Sequence, residues 1–166
     1  MASRAGARST DMSNATLFAS MHRDQARHVR ERCSRFVWKD GRWRRDTTGH
    51  ARRAAKETTR ELWLRALGDD VATTWAIGSQ QEPRLRAMLE VAASEPGIAL
   101  AADNFDRDPF LLACRNGTLD LPAGVLRPHD PVDLISLCTP GAAVAPRSSR
   151  PGTAGRWRRS SPRTAS

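Results

Sequence analysis

Residues 110–127 constrain the architecture of this chain more than any other stretch. Asn116-Gly117 separates the strand-like run 110–115 from Thr118-Leu119-Asp120-Leu121, and Pro122-Ala123-Gly124 separates that run from Val125-Leu126-Arg127. An Asn-Gly pair tolerates the positive φ that a two-residue hairpin loop demands, and Pro and Gly supply the next reversal. Three short strands joined by two tight turns predict an antiparallel meander near the C-terminal end of the fold.

A second hairpin is written into Phe36-Val37-Trp38-Lys39-Asp40-Gly41-Arg42-Trp43-Arg44. If Asp40-Gly41 forms the loop, Lys39 pairs with Arg42 and Trp38 with Trp43. Side chains alternate across a strand, so Phe36, Trp38 and Trp43 share one face while Lys39, Arg42 and Arg44 share the other. Three cations on a two-stranded ribbon are suited to lie along a phosphate backbone. The ordinary alternative is a solvated face opposite a Trp-lined core. Trp38 and Trp43 themselves are expected in that core, with stacking on exposed bases as the lesser alternative.

Outside the two hairpins the apolar period changes to that of helices. A short helix is predicted from Ser13, capped by Ser13 or Asn14 and burying Leu17, Phe18 and Met21. An Arg-rich connection leads from it to the first hairpin. The best helix covers 48–67, capped by Asp46 or Thr48 and ended by Gly68. Its inner stripe is Ala51, Ala55, Thr58, Leu62 and Ala66, with Trp63 at the margin and Arg53, Lys56, Glu57, Arg60 and Glu61 outside. A second helix is expected around 70–78, with Val71, Trp75 and Ile77. A third starts with Pro83 in its first turn, buries Leu85, Met88, Leu89 and Ala92, and stops before Pro96-Gly97. Leu134, Ile135 and Leu137 form the last apolar cluster.

Charge enters the argument because the chain of 166 residues carries +9, which resembles a nucleic-acid binder. Six arginines (Arg147, Arg150, Arg156, Arg158, Arg159 and Arg163) lie beyond position 138, where there is no acidic residue. The other 21 basic residues face 18 acidic ones, so positions 1–138 carry only +3. Residues 139–166 offer only Val144 and Trp157 for burial, and a disordered Arg/Pro/Ser/Ala-rich tail is expected there. With 1–10 as a flexible lead, the fold class expected over 11–138 is α+β: a small helical domain with a Trp-bearing β-hairpin and a C-terminal β-meander. The three cysteines show no paired spacing and read as cytosolic thiols. With no long apolar run and no secretion-type leader, the expected location is cytoplasmic, away from membranes.

A set of short islands carries a family resemblance. They are Asn14-Ala15, the hairpin from Trp38 to Trp43, Ala54-Ala55-Lys56-Glu57-Thr58, Met88-Leu89, Ser94-Glu95-Pro96-Gly97-Ile98, Asp108-Pro109 with Leu111-Leu112, and the meander motif through His129-Asp130-Pro131 and Asp133-Leu134-Ile135. Over positions 11–135 the chain resembles the N-terminal domain of phage and plasmid DNA primase-helicases of the phage P-four and poxvirus types, the segment joined there to a superfamily-three helicase. Asn116, Gly117, Leu119, Asp120, Leu121, Gly124 and His129 carry the family motif, and their expected roles are structural. ATP and Mg2+ belong to the helicase module of the family, so no cofactor is expected in this chain, and the implied partners are DNA and helicase-module protomers. Where the family continues into an acidic segment and the ATPase, this sequence turns to an acid-free Arg/Pro/Ser/Ala run. That composition fits a frameshifted or truncated remnant of a longer gene.

The motor's absence is visible without the family. A P-loop needs a glycine-rich turn ending in Gly-Lys-Ser/Thr. The only lysines are Lys39, after Trp38, and Lys56, after Ala55. Asp106-Arg107-Asp108 is the one pair resembling the carboxylates of metal-dependent nucleotidyl transferases, but it precedes Pro109 in a polar stretch, where a turn or cap is the usual use of aspartate. His22, His28, His50 and His129 have no ligand or nucleophile–base spacing, and His129 is expected to close the meander by a hydrogen bond. The expected function is therefore a non-catalytic DNA-engaging or assembly domain. The alternatives are primase activity through Asp106 and Asp108, and a pseudogene product with no activity.

Overall fold

The computed structural model describes residues 10–143. Residues 1–9 of the expected lead and 144–166 of the expected tail lie outside the described residues. Among the described residues the architecture is α+β, with four α-helices and two small sheets. Helix α1 is Asp11–His22, followed by strands β1 (Ala26–Val29), β2 (Ser34–Lys39) and β3 (Arg42–Arg45). Helices α2 (His50–Ala66), α3 (Asp70–Gly78) and α4 (Glu82–Ala92) come next, then β4 (Ala99–Leu100). The meander β5 (Leu111–Cys114), β6 (Gly117–Asp120) and β7 (Val125–Arg127) closes the order.

The first sheet runs β3-β2-β1-β4, with β4 parallel to β1 and the other pairs antiparallel. Two of its strands were not expected. The Arg-rich connection is β1, pairing Ala26 with Val37 and Val29 with Ser34. Residues 99–100 then add a parallel edge, with His28 opposite Ala99. The hairpin therefore forms two strands of a four-stranded sheet.

That sheet has two cores. On the face carrying Ala26 and Val37 lies an alanine-rich helical cluster: Ala15, Phe18 and Ala19 of α1, Ala54 and Ala55 of α2, and Leu85, Met88 and Ala92 of α4, with Ile98. Small residues at the α1–α2 contact let the helix axes approach closely. On the opposite face Val29, Phe36, Trp43 and Phe105 pack together, joined by half-buried Trp38, Leu100 and Leu134.

Helix boundaries follow local chemistry, with some corrections. Thr10 caps α1, through a reciprocal exchange in which its hydroxyl accepts from Ser13 N–H and Ser13 accepts from Thr10 N–H. Asn14 is instead fully buried, its Nδ2 donating to Ser79 Oγ at 3.1 Å, and it ties α1 to the end of α3. For α2 the carboxylate of Asp46 accepts from Thr48, His50 and Ala51 N–H at 3.1, 2.9 and 2.9 Å. The chain leaves α2 through Gly68 at φ 93°, as expected. The inner stripe of α2 is Ala51, Ala54, Ala55, Thr58, Thr59 and Ala66, while Leu62 is only half-buried. Helix α3 spans the expected residues, but Val71 and Ile77 are exposed and Ala76 is its buried residue.

The meander forms with its first turn displaced by one residue. Cys114 pairs with Gly117, so the loop residues are Arg115 and Asn116. Gly117 is a strand residue at φ 152°, where a Cβ would come within 2.5 Å of the Arg127 carbonyl oxygen. The glycine thus answers a close approach to β7, and Asn116 has another use. Its side chain both donates to and accepts from the backbone of Ala143, at 2.8 Å each way. Thr139 N–H donates to Ala113 O at 2.9 Å, and Arg115 N–H to Gly141 O at 3.1 Å. Residues 139–143 are therefore held along the free edge of β5, correcting the expectation that disorder begins at 139. Backbone groups on a sheet edge accept any partner backbone, so apolar content does not predict such pairing.

Candidate nucleic-acid interface

The β2–β3 turn places Asp40 at φ 52° and Gly41 at φ 73°, the left-handed pair that a primed two-residue loop requires. Lys39 opposes Arg42, Trp38 opposes Trp43, and Val37 opposes Arg44, which is the register expected from the sequence. Lys39, Arg42 and Arg44 accordingly share one face.

Their setting differs from a plain solvated strand face. They lie on the same side of the sheet as buried Val37 and Ala26, toward the helices, and Arg35 on this side pairs with Glu90 of α4 at 3.0 Å. The cations occupy the turn end of that face. Lys39 is exposed and has no ion-pair partner among the described residues. Arg42 and Arg44 are half-buried, and the Nε atoms of both are buried without a hydrogen-bond partner. Arg44 Nη1 meets Asp40 Oδ2 at 3.2 Å across partly exposed side chains. A pair this open contributes well under about 1 kcal/mol and releases its arginine readily to a phosphate.

The reverse face is committed to packing. Trp43 is 1% exposed; its indole Nε1–H donates to Pro131 O at 2.9 Å and its backbone N–H to Ile135 O at 2.8 Å. The second bond also covers the outer edge of β3. Trp38 sits 5.6 Å from Trp43 between ring centroids, and the Arg27 guanidinium lies 4.6 Å over the Trp43 ring. Arg27 was hidden in the connection that proved to be β1, and only the β1–β2 register could have located it.

The hairpin tip is braced from far along the chain. The His129 ring lies against Gly41 so closely that any Cβ there would overlap it. His129 Nδ1 in turn lies 3.0 Å from the hydroxyl of fully buried Thr118. Arg127 forks onto Asp133 at 2.8 and 2.6 Å and steadies the loop that carries His129. That hydrogen-bonded carboxylate raises the Arg127 pKa against slight desolvation.

The other motif residues occupy the meander. Leu119 stands between Leu112 and Leu126, Asp120 Oδ1 accepts from Ala123 N–H at 3.0 Å, and Gly124 takes φ 63° in the second turn. Leu121 is half exposed, its N–H donating to Phe110 O. The two aspartates of the nucleotidyl-transferase alternative are both engaged by backbone donors. Asp106 accepts from Ser136 N–H at 2.8 Å, Leu137 N–H at 3.1 Å and the Ser136 hydroxyl. Asp108 Oδ1 accepts from Phe110 N–H at 2.9 Å. Asp108 thus serves a turn, as its position before Pro109 implied, whereas Asp106 departs from that expectation and ties its loop to the backbone of residues 136–137.

Besides Asn14, a second buried polar side chain, His22, was not marked by the sequence. His22 is 3% exposed with Nε2 3.0 Å from Thr58 Oγ1. The Thr58 hydroxyl donates to Ala54 O, so it accepts from His22 Nε2–H, and Nδ1 is left without a partner. Burial lowers the pKa of this histidine, against an opposing pull from Glu57. No helix among the described residues is long and apolar enough to cross a membrane.

A family model described as D5 N terminal like matches residues 15–162. The matched range includes residues 139–162, which composition alone sets apart from the rest. No curated protein matches the chain.

Proposed function

Because the chain belongs to the D5 N terminal like family, the N-terminal domain that precedes the helicase in phage and plasmid primase-helicases, we propose that it is a non-catalytic module that engages DNA beside the helicase. The observation that carries this reading is the braced hairpin. Lys39, Arg42 and Arg44 project from one face of a turn whose left-handed loop is fixed by Asp40-Gly41 and backed by His129. A preorganised ribbon of three cations binds phosphates at little conformational cost. The module contributes contact and orientation, while ATP and Mg2+ belong to the helicase it precedes. The primase alternative draws no support from Asp106 and Asp108, whose oxygens already accept backbone donors.

Fluorescence anisotropy with labelled single-stranded DNA tests the reading. Lys39→Ala/Arg42→Ala/Arg44→Ala should weaken binding and flatten the dependence of log K on log salt by about 2, at roughly 0.7 for each phosphate no longer neutralised. A chain ending at Ala143 measures what the distal arginines add. If the triple variant binds like the parent, the hairpin is not the interface.

A further inference from the structure

The cations of α2 are not equivalent. Arg52 pairs with Glu82, and Arg65 pairs with Glu61 at 2.7 Å. Lys56 and Arg60, between them, are in no ion pair among the described residues. Both line a surface cleft of about 370 Å³ with Thr59, Trp63 and Gln80 of the following segment, and none of these five residues is acidic. Positions 56, 60 and 63 fall on one helical face, separated by about 6 and then 4.5 Å of axial rise. Trp63 is 37% exposed, in contrast to Trp43 at 1%. The helix therefore presents two unneutralised cations followed by an accessible indole, in a cleft lined by uncharged hydrogen-bonding groups.

We propose that this cleft is a second contact for single-stranded DNA, with one base stacked on Trp63 and the flanking phosphates held by Arg60 and Lys56. The proposal rests on the reading of the domain as a DNA-engaging module, but uses a different surface from the hairpin. Charge complementarity selects the ligand: a strand of phosphates supplies the negative charge the cleft lacks, and an unpaired base supplies the π-face that Trp63 leaves open. A duplex keeps its bases stacked inward and cannot fill the Trp63 position. Exposed Gln80 lies in the cleft as a neutral donor for sugar or base edges, while the buried Thr59 hydroxyl is committed to the Lys56 carbonyl at 2.9 Å.

The test measures anisotropy of the full chain with fluorescein-labelled oligothymidylate of about ten nucleotides, within the usual site size for such binders. It adds an abasic oligomer of the same length. Trp63→Ala should weaken oligothymidylate binding roughly five- to hundredfold, the usual range for losing one stacked base. Trp63→Phe should retain most of the affinity, and neither change should matter for the abasic strand. Lys56→Ala/Arg60→Ala should weaken both. An unchanged affinity for Trp63→Ala, or an equal loss on the abasic strand, overturns the proposal. If the hairpin variant loses binding while the α2 variants keep it, the α2 site fails alone. The reverse outcome sustains this site and removes the hairpin. A parent chain that binds no single strand removes both.

Discussion

The contact between Gly41 and His129 makes a quantitative demand on stability. Gly41→Ala places a Cβ at φ 73° and inside the volume of the His129 ring. The left-handed backbone costs about 1–2 kcal/mol for a residue with a Cβ. The ring must also move, which breaks its hydrogen bond to Thr118, a hydroxyl with no exposed surface. Leaving that buried hydroxyl unsatisfied costs a further 1–3 kcal/mol, roughly. The expected total is about 2–5 kcal/mol. His129→Ala alone should cost about 1–3 kcal/mol through the same orphaned hydroxyl. In the His129→Ala background the alanine at 41 meets no ring, so only backbone strain remains. The double variant should therefore be less destabilised than the sum of the singles by about 1–3 kcal/mol. Urea unfolding followed by tryptophan fluorescence gives all four corners of the cycle. Additive costs would refute the reasoning, because they would mean that the hairpin tip and the His129 loop do not share one interaction.

Two further outcomes follow from buried or capping groups. Burial works to raise the Asp46 pKa, but N–H donors from Ala51, His50, Thr48 and Gly49 prevail and hold it below the ordinary carboxylate value. Its stabilising contribution is thus full above that value and lost as pH falls through the folded-state pKa; Asp46→Ala should cost about 1–2 kcal/mol at neutral pH and flatten the acid limb of the urea midpoint. For His22 the folded pKa lies below 6.5, so the unfolded state takes up a proton first and stability declines as pH drops below about 6.5. Its imidazole resonances in a pH titration should move later than those of an exposed histidine, and a normal midpoint would contradict the buried, Nδ1-unpartnered arrangement.

What could be read from the sequence was set by distance along the chain. The Asp40-Gly41 loop and its register were legible because two adjacent residues dictate them. Helix α2 was legible because its period and its Asp46 cap lie within one stretch. Strands β1 and β4 were not, since His28 meets Ala99 only after three helices have intervened, and neither segment alternates polar with apolar. The burial of Asn14 and His22 was hidden for the same reason: their partners Ser79 and Thr58 lie 65 and 36 residues away. At the hairpin, the shared face of Lys39, Arg42 and Arg44 followed from strand alternation. That this face points toward the helical layer required β1. The displaced meander turn came from reading Asn116-Gly117 as loop chemistry, when the glycine is demanded by the Arg127 carbonyl across the strand.

The indole of Trp43 reaches a carbonyl 88 residues further on, at Pro131. During synthesis the hairpin can close as soon as its own residues are available, because its pairing is entirely local. Its aromatic face then has only Val29 and Arg27 of β1 against it until Phe105, Pro131 and Ile135 have been made. Throughout that interval the nascent domain carries a formed ribbon with one sticky side, a surface on which another unfinished chain can lodge. The cover of this face is therefore completed late, by residues 131–135, although the hairpin itself is built from adjacent residues.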